Sequence, residues 1–232
     1  SGTDLLTAAV FDYETKSSYN IRVQTSDGMS SYEEAFTISV NDVNDVPNDI
    51  DLSTSSVNEN VAIGTTVGGL STTDADNGDT FTYTLVAGTG ATDNANFSIN
   101  GANLLTAAAL DFETKSSYSI RVQTSDGTDS YQEVFTISVD DVNEAPTITS
   151  GSTGHIAENA ATTTTIYEIK ASDIDGDTLY YSLTGTDASL FSLDQETRTV
   201  TLKASADYEA QNANAFTVNV SDNEFTATKS VA

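Results

Sequence analysis

Carboxylate residues in this chain recur in short motifs on both sides of apolar segments. The stretch LDFETKSSYSIRVQTSDG, residues 110–127, repeats FDYETKSSYNIRVQTSDG, residues 11–28, with 15 of 18 positions identical. Both copies keep an acidic pair before the apolar segment and an Asp after it. Because charged oxygen ligands suit hard divalent cations, carboxylates at repeated positions point to metal binding. The elements between them must bring these carboxylates together.

The overall charge agrees with a cationic partner. Eight Lys and Arg residues stand against 35 Asp and Glu residues, which gives a formal net charge of -27. Nucleic acids and anionic lipids need basic residues to neutralise phosphate, so neither is an expected partner. The chain has no cysteine and no long apolar run, so we expect no disulfide, no membrane insertion and no signal peptide within it.

The motifs define repeats of about 99 residues. NDVNDVP at residues 41–47 recurs as DDVNEAP at 140–146, and DADNGDTFTYTL at 74–85 recurs as DIDGDTLYYSL at 173–183. Boundaries at the two prolines predict three domains. These are the last three strands of a first repeat (1–46), one complete repeat (47–145), and a third repeat that lacks most of its last strand (146–232).

The complete repeat has the sequence features of a β-sandwich. Alternating apolar residues and turn residues predict seven strands, and Asn100-Gly101 predicts a two-residue hairpin. No segment shows the 3.6-residue period of a helix. The fold class is therefore all-β, with tandem seven-stranded Greek-key sandwiches. The predicted strands lie near residues 50–57, 65–71, 80–87, 96–99, 102–107, 117–125 and 131–140.

The outer repeats are truncated, so we expect a piece of a longer protein. Their missing strands would leave open sheet edges, which strand exchange with another chain could also cover. Connections in an antiparallel sandwich collect at its two ends. The motif acids then lie at the ends of modules, where those of one repeat can meet those of the next.

Several carboxylates at one junction require a cation. Two of them about 5 Å apart repel by about 1 kcal/mol in water and about 3 kcal/mol at an effective dielectric constant of 20. Four or more would approach the stability of a small domain, roughly 5 to 15 kcal/mol. Oxygen ligands at this density favour calcium over zinc or copper, which prefer nitrogen and sulfur.

Five motifs in register make the chain resemble cadherin repeats, in particular those of large bacterial surface proteins. They are VNEN at 57–60, DAD at 74–76, LDFE at 110–113, SDG at 125–127 and DVNDVP at 42–47. The resemblance covers the whole chain. It implies cadherin-like or immunoglobulin-like sandwiches with calcium bound between successive repeats, which stiffens the array.

The resemblance also implies two sets of calcium ligands. The first set would be Asp12, Glu14, Asn44, Asp45, Asp74, Asp76 and Asp126. The second would be Glu59, Asp111, Glu113, Asn143, Glu144, Asp173, Asp175 and Asp222. Val46 and Ala145 replace the Asn that usually precedes the linker proline, and Glu144 replaces an Asp. Two or three calcium ions per junction are therefore expected.

Other interpretations explain less of the pattern. An EF-hand fails because its twelfth loop position would hold Leu85 or Thr184 instead of Glu. A solvated acidic surface suits scattered acids such as Asp4 and Glu33, but not repeated motifs. Serine and threonine lack a plausible base and there is no cysteine nucleophile, so we expect no enzyme activity.

The resemblance favours a calcium-rigidified extender in a bacterial extracellular adhesin or filament, secreted or held at the cell surface. Its partners would be calcium ions, neighbouring repeats and other copies of itself. One alternative is a recognition module for itself or for a carbohydrate. Another is a spacer in a secreted polysaccharide-degrading enzyme.

Overall fold

The computed structural model of the protein describes residues 4–209 and 213–232. Described residues form strands and two short 3-10 helices, Asn94–Asn96 and Ala188–Leu190, so the all-β prediction is confirmed. No helix within these residues has the length and apolar character needed to cross a bilayer. The chain divides into two compact units, residues 1–140 and 141–232, and each is described by itself below.

Unit 1 contains a two-stranded sheet and a complete β-sandwich. β1 pairs only with β2 among the described residues, while the sandwich packs the sheet β3-β5-β8-β7 against the sheet β4-β10-β9-β6. The strands are β1 (Ser18–Ser26), β2 (Ser31–Ser39), β3 (Asp49–Leu52), β4 (Ser56–Asn58), β5 (Thr66–Thr73), β6 (Thr82–Leu85), β7 (Phe97–Asn100), β8 (Asn103–Thr106), β9 (Ser117–Ser125) and β10 (Ser130–Asp140).

The core of unit 1 follows the predicted alternation. Tyr118, Ile120 and Val122 of β9 are buried, as are Ile137 and Val139 of β10. β9 and β10 are antiparallel neighbours, so these side chains form one continuous apolar layer that faces the other sheet. The polar residues between them point away from the core, as expected for strands with one buried face.

The first predicted strand, over 50–57, is wrong in one respect, because it is divided between the two sheets. β3 pairs with β5, whereas β4 runs parallel to β10. The chain changes sheet at residues 53–55, where a Cβ on Gly68 would lie 2.5 Å from the Thr54 carbonyl oxygen. Glycine therefore permits this close crossing. The complete repeat has eight strands rather than seven, since alternation alone does not reveal a change of sheet.

The predicted hairpin between β7 and β8 is confirmed, but its turn lies one residue later than the Asn100-Gly101 pair predicted. β7 and β8 pair through Asn100 and Asn103, with Gly101 and Ala102 in the turn. Gly101 has a φ of +59°, in the left-handed region that favours glycine.

The first repeat has two described strands instead of the three predicted. Leu104 of β8 is fully buried, and β8 pairs with both β5 and β7. Its sequence equivalent, Leu5, is 67% exposed, and residues 4–8 form no strand. The sequence holds no counterparts of β5 and β7 in this repeat. An extended segment without neighbours gains neither ladder hydrogen bonds nor burial.

Unit 2 is a second sandwich with its own core, formed by residues such as Val200, Val218 and Val220. Its sheets are β12-β16-β15, β14-β17-β18 and the pair β11-β13. The strands are β11 (Thr147–Ile148), β12 (Thr165–Glu168), β13 (Ala171–Ser172), β14 (Tyr180–Thr184), β15 (Phe191–Leu193), β16 (Thr199–Leu202), β17 (Phe216–Ser221) and β18 (Thr226–Val231). The sequence predicted a mostly missing last strand; β18 has six residues, all paired with β17, where β10 has eleven.

Candidate metal centre

Two overlapping groups of carboxylates lie within unit 1, and both include Asp76. Oxygens of Glu14, Asp42 and Asp76 lie within 4.8 Å of one another, and so do oxygens of Asp74, Asp76 and Asp79. Glu14 and Asp42 come from the first repeat and the others from the second. The Asp76 carboxylate therefore lies close to acidic side chains from both repeats.

The loop that follows β5 positions the second group. β5 ends at Thr73, and the next residues form a turn in which the Asp76 backbone N–H donates to Asp74 Oδ1 at 3.1 Å. Gly78 has a φ of +109°, a conformation that favours glycine and turns the chain back towards β6. The acidic spacing D-x-D thus directs two carboxylates to one side of the loop.

Two carboxylate oxygens in this loop are buried without a hydrogen-bond donor. Asp74 Oδ2 and Asp76 Oδ1 have no partner among the described residues. The corresponding atoms in unit 2, Asp173 Oδ2 and Asp175 Oδ1, are in the same condition. A buried charged oxygen without a partner is costly, so its recurrence in two repeats calls for a bound positive charge.

The electrostatics of unit 1 point the same way. A backbone hydrogen bond at Glu14 lowers the pKa of that carboxyl, but desolvation and repulsion from Asp42, Asp45 and Asp76 together raise it above its usual value. Desolvation raises the pKa of Asp79, with further repulsion from neighbours that include Asp76. Both carboxyl groups resist ionisation because of desolvation and of the negative charge already concentrated there.

The linker before Pro47 contributes polar contacts to the same region. Asn44 Nδ2 donates to Asp126 Oδ2 at 3.2 Å, and the Asp45 backbone N–H donates to Asp76 Oδ2 at 2.6 Å. Backbone N–H groups of Thr128 and Asp129 donate to Asp126 Oδ1. These bonds are the main reason that the pKa of Asp126 is lowered.

Unit 2 repeats these linker contacts within itself. Asn143 Nδ2 donates to Asp222 Oδ2 at 3.2 Å, and the Glu144 backbone N–H donates to Asp175 Oδ2 at 2.8 Å. The Asp175 N–H donates to Asp173 Oδ1 at 3.1 Å, as Asp76 does to Asp74. The same sequence motif therefore folds in the same way in both units.

Asp12 and Asp111 have a local role in their loops. The two oxygens of Asp12 accept from the backbone N–H and hydroxyl of Thr15, both at 2.9 Å, and Asp111 makes the same bonds with Thr114. These bonds lower the pKa of both aspartates. Neither residue belongs to the close carboxylate groups among the described residues.

Glu59 is the most buried of the predicted ligands in unit 1, with 3% of its surface exposed. Its Oε2 accepts from the Phe112 backbone N–H at 2.9 Å, and its carboxylate lies within 4.8 Å of that of Glu113. In unit 2, Glu144 and Asp175 have oxygens within the same distance.

The residues of unit 1 fit a hard divalent cation. Their ligand atoms are all oxygens, and calcium–oxygen distances of about 2.3 to 2.6 Å allow two ligands of one ion to lie up to about 5 Å apart. The observed limit of 4.8 Å is within that range. The chain has no cysteine and one histidine, so a site for a softer metal is not indicated.

Sequence analysis missed three acids in this region. Asp42 and Asp79 belong to the close groups, and Asp129 Oδ2 accepts from Asn44 Nδ2 at 3.1 Å. A signal existed for the first two, because Asp42 recurs as Asp141 and Asp79 recurs as Asp177. Asp129 has no such counterpart, since Phe225 follows Asp222 at the same spacing.

Comparison with known proteins identifies the family. The cadherin domain model matches residues 53–140 and 152–232. The chain belongs to the cadherin family. Cadherin domains as a class are calcium-binding modules of cell adhesion proteins, and this chain contains them as repeats.

Two named relatives show how small a part of them the chain represents. It is 29% identical to human Protocadherin Fat 4 over 216 residues, and this alignment covers 88% of the chain and 4% of that protein. It is 31% identical to mouse Cadherin EGF LAG seven-pass G-type receptor 1 over 236 residues, and this alignment covers 93% of the chain and 7% of that protein.

Solved structures share the fold. Protocadherin Gamma B2 extracellular cadherin domains 1-5 match with a TM-score of 0.65 and 23% identity, covering 95% of this chain and 45% of that one. Mouse Cadherin-23 EC22-24 matches with a TM-score of 0.61 and 22% identity, covering 96% and 75%. At this identity the likeness concerns the fold alone.

Proposed function

We propose that this chain binds calcium where its first and second repeats meet, within unit 1. The proposed ligands are the first predicted set together with Asp42 and Asp79. The observation that carries the proposal is the pair of buried, unpartnered oxygens on Asp74 and Asp76 beside other carboxylates. Calcium would supply positive charge to these acids, which form no salt bridge with a basic side chain among residues 4–209 and 213–232.

The contributions of individual residues differ. Asp76 can bridge, because it belongs to both carboxylate groups and its Oδ1 is unpartnered. The contacts of Asn44 and Asp45 hold the linker against Asp126 and Asp76. Asp12 would join after its bonds with Thr15 adjust or share their oxygens. The second predicted set is proposed by its sequence equivalence to the first, and two or three ions per junction stays a prediction.

The role we propose is that of an extracellular extender. Extracellular calcium modules bind at roughly 0.1 to 1 mM. Such sites fill outside the cell and stay empty in cytosol, so the repeats would become rigid only after export. The named relatives are from human and mouse, and the bacterial adhesin context stays a prediction. The role needs no catalysis.

Calorimetric calcium titration tests the proposed site. We expect Glu14→Ala, in the first repeat, and Asp74→Ala, in the second, each to weaken the same binding event, because one site takes ligands from both. Asp51→Ala is the control, since Asp51 is an exposed strand residue outside both groups. Independent effects of the two variants on separate binding events would contradict the proposal. Small-angle scattering with calcium and with chelator then tests the stiffening.

One observation favours recognition of a second copy as another candidate function. The β1-β2 sheet leaves Val23, Tyr32 and Phe36 between 44% and 65% exposed. A protocadherin gammaB7 EC3-6 structure of the same fold is described as a cis-dimer. Sedimentation of a monomer at high concentration with calcium would remove this candidate. The carbohydrate alternative has less support, because Phe97 and Tyr118 are buried in the core with 4% and 8% exposure.

A further inference from the structure

The dipeptide Asn-Gly occurs twice in the chain, in two different structural settings. Asn100-Gly101 forms the β7-β8 hairpin, where Asn100 is paired with Asn103. Asn77-Gly78 lies in the exposed turn after β5, between Asp76 and Asp79. The two dipeptides are chemically identical, so a difference in their reactivity would come from the fold.

We propose that Asn77-Gly78 is a site of spontaneous deamidation, while the identical pair at Asn100 is protected by its hairpin. The backbone nitrogen of Gly78 attacks Cγ of Asn77, which forms a C–N bond and breaks the bond between Cγ and Nδ2. Ammonia leaves with the proton of the Gly78 N–H, and a succinimide results. Water then opens the ring to Asp or isoAsp, without oxidation or reduction.

The glycines of both pairs are uncrowded, but the freedom of the backbone differs. A Cβ placed on Gly78 or on Gly101 would meet no atom within 4 Å. The attack also requires rotation of the Asn backbone towards its own side chain. The ladder holds Asn100, and Leu70 N–H donates to the Ala102 carbonyl at 2.7 Å.

Asn77 has no comparable restraint. No hydrogen bond of Asn77 or Gly78 occurs among residues 4–209. Both residues are exposed, outside any strand, and Gly78 has a φ of +109°. A residue in such a turn can sample the reactive geometry without breaking a ladder.

The reaction changes the carboxylate loop itself. It adds a negative charge between Asp76 and Asp79, and isoAsp lengthens the backbone by one methylene between them. In the absence of a cation, the new carboxylate increases repulsion within the group. A cation held by this loop would restrain the backbone and slow the reaction. This last statement depends on the proposed function, whereas the contrast with Asn100 does not.

The test follows both sites in the full chain by peptide mapping with mass spectrometry that separates Asn, Asp and isoAsp. In chelator we expect the folded protein to convert Asn77 several-fold faster than Asn100. In concentrated urea the two rates should become similar, because the dipeptides are identical. Asn77→Gln is the control and should remove the fast event while leaving Asn100 unchanged. Equal rates at both sites in the folded chain would overturn the proposal.

A calcium arm separates this inference from the proposed function. Saturating calcium should slow conversion at Asn77 several-fold and leave the Asn100 rate unchanged. Fast conversion at Asn77 that calcium does not alter would support the deamidation site and contradict a calcium-held loop.

Discussion

Replacement of Asp76 by Asn should stabilise unit 1 in chelator and lose most of that advantage in calcium. Asp74 and Asp76 have oxygens within 4.8 Å, so their repulsion is about 1 kcal/mol in water and about 3 kcal/mol at an effective dielectric constant of 20. Both residues are half-buried, which favours an intermediate value of about 2 kcal/mol. The Asn side chain can still accept from the Asp45 N–H. In chelator, Asp76→Asn should therefore stabilise unit 1.

In calcium the advantage of the Asp76→Asn variant should largely disappear. A site with a dissociation constant of roughly 0.1 to 1 mM gains about 1.4 to 2.7 kcal/mol from about 10 mM calcium. Asp76→Asn should forfeit most of this gain because it removes the carboxylate that the two groups share. Urea unfolding in chelator and in calcium measures both differences, with Asp51→Asn as the matched control. The reasoning is refuted if Asp76→Asn changes stability by the same amount in both conditions.

Three further predictions concern the scaffold and compare equivalent residues. Lys115→Met should cost about 1 to 3 kcal/mol of stability, because it removes a charged partner of the buried Asp93 carboxylate. The equivalent change Lys16→Met should cost less, since its repeat has no described counterpart of Asp93. Urea unfolding measures both losses, and equal losses would contradict a stabilising ion pair. Desolvation raises the pKa of Asp93, but hydrogen bonds from Lys115 and from a backbone N–H lower it overall. The carboxylate therefore contributes stability above the ordinary pKa of 3.8, and this contribution is lost as pH falls through the lowered folded value. Asp93→Asn should lack this part of the acid unfolding transition, and an unchanged dependence of stability on pH would contradict the prediction. Leu104→Ala should cost about 2 to 5 kcal/mol and Leu5→Ala almost nothing by thermal unfolding, and a large loss at Leu5 would show that the first repeat buries it.

The sequence contained enough information for the sandwich but not for its details. Alternation in β9 and β10 and the Asn100-Gly101 turn predicted the core and a hairpin, because both depend on local spacing. The change of sheet at residues 53–55 depends on a close approach to Gly68, which is distant in sequence, and so it was missed. The two-strand first repeat was missed because a pattern does not show whether neighbouring strands exist.

The candidate site was predictable to a similar degree. The motifs identified Glu14, Asp74 and Asp76, which the fold of unit 1 brings together. They did not reveal that Asp12 uses both oxygens in its own turn, or that Asp42 joins the group. These features depend on side-chain placement in loops, which spacing does not determine.

An X-ray structure of the chain grown in calcium, with data collected near the calcium absorption edge, tests the central claim most directly. The account predicts anomalous peaks about 2.3 to 2.6 Å from the carboxylate oxygens of Asp76 and its neighbours Asp74 and Glu14. Absence of such a peak at saturating calcium, with Asp74 Oδ2 and Asp76 Oδ1 bonded to water or to protein donors, would contradict it.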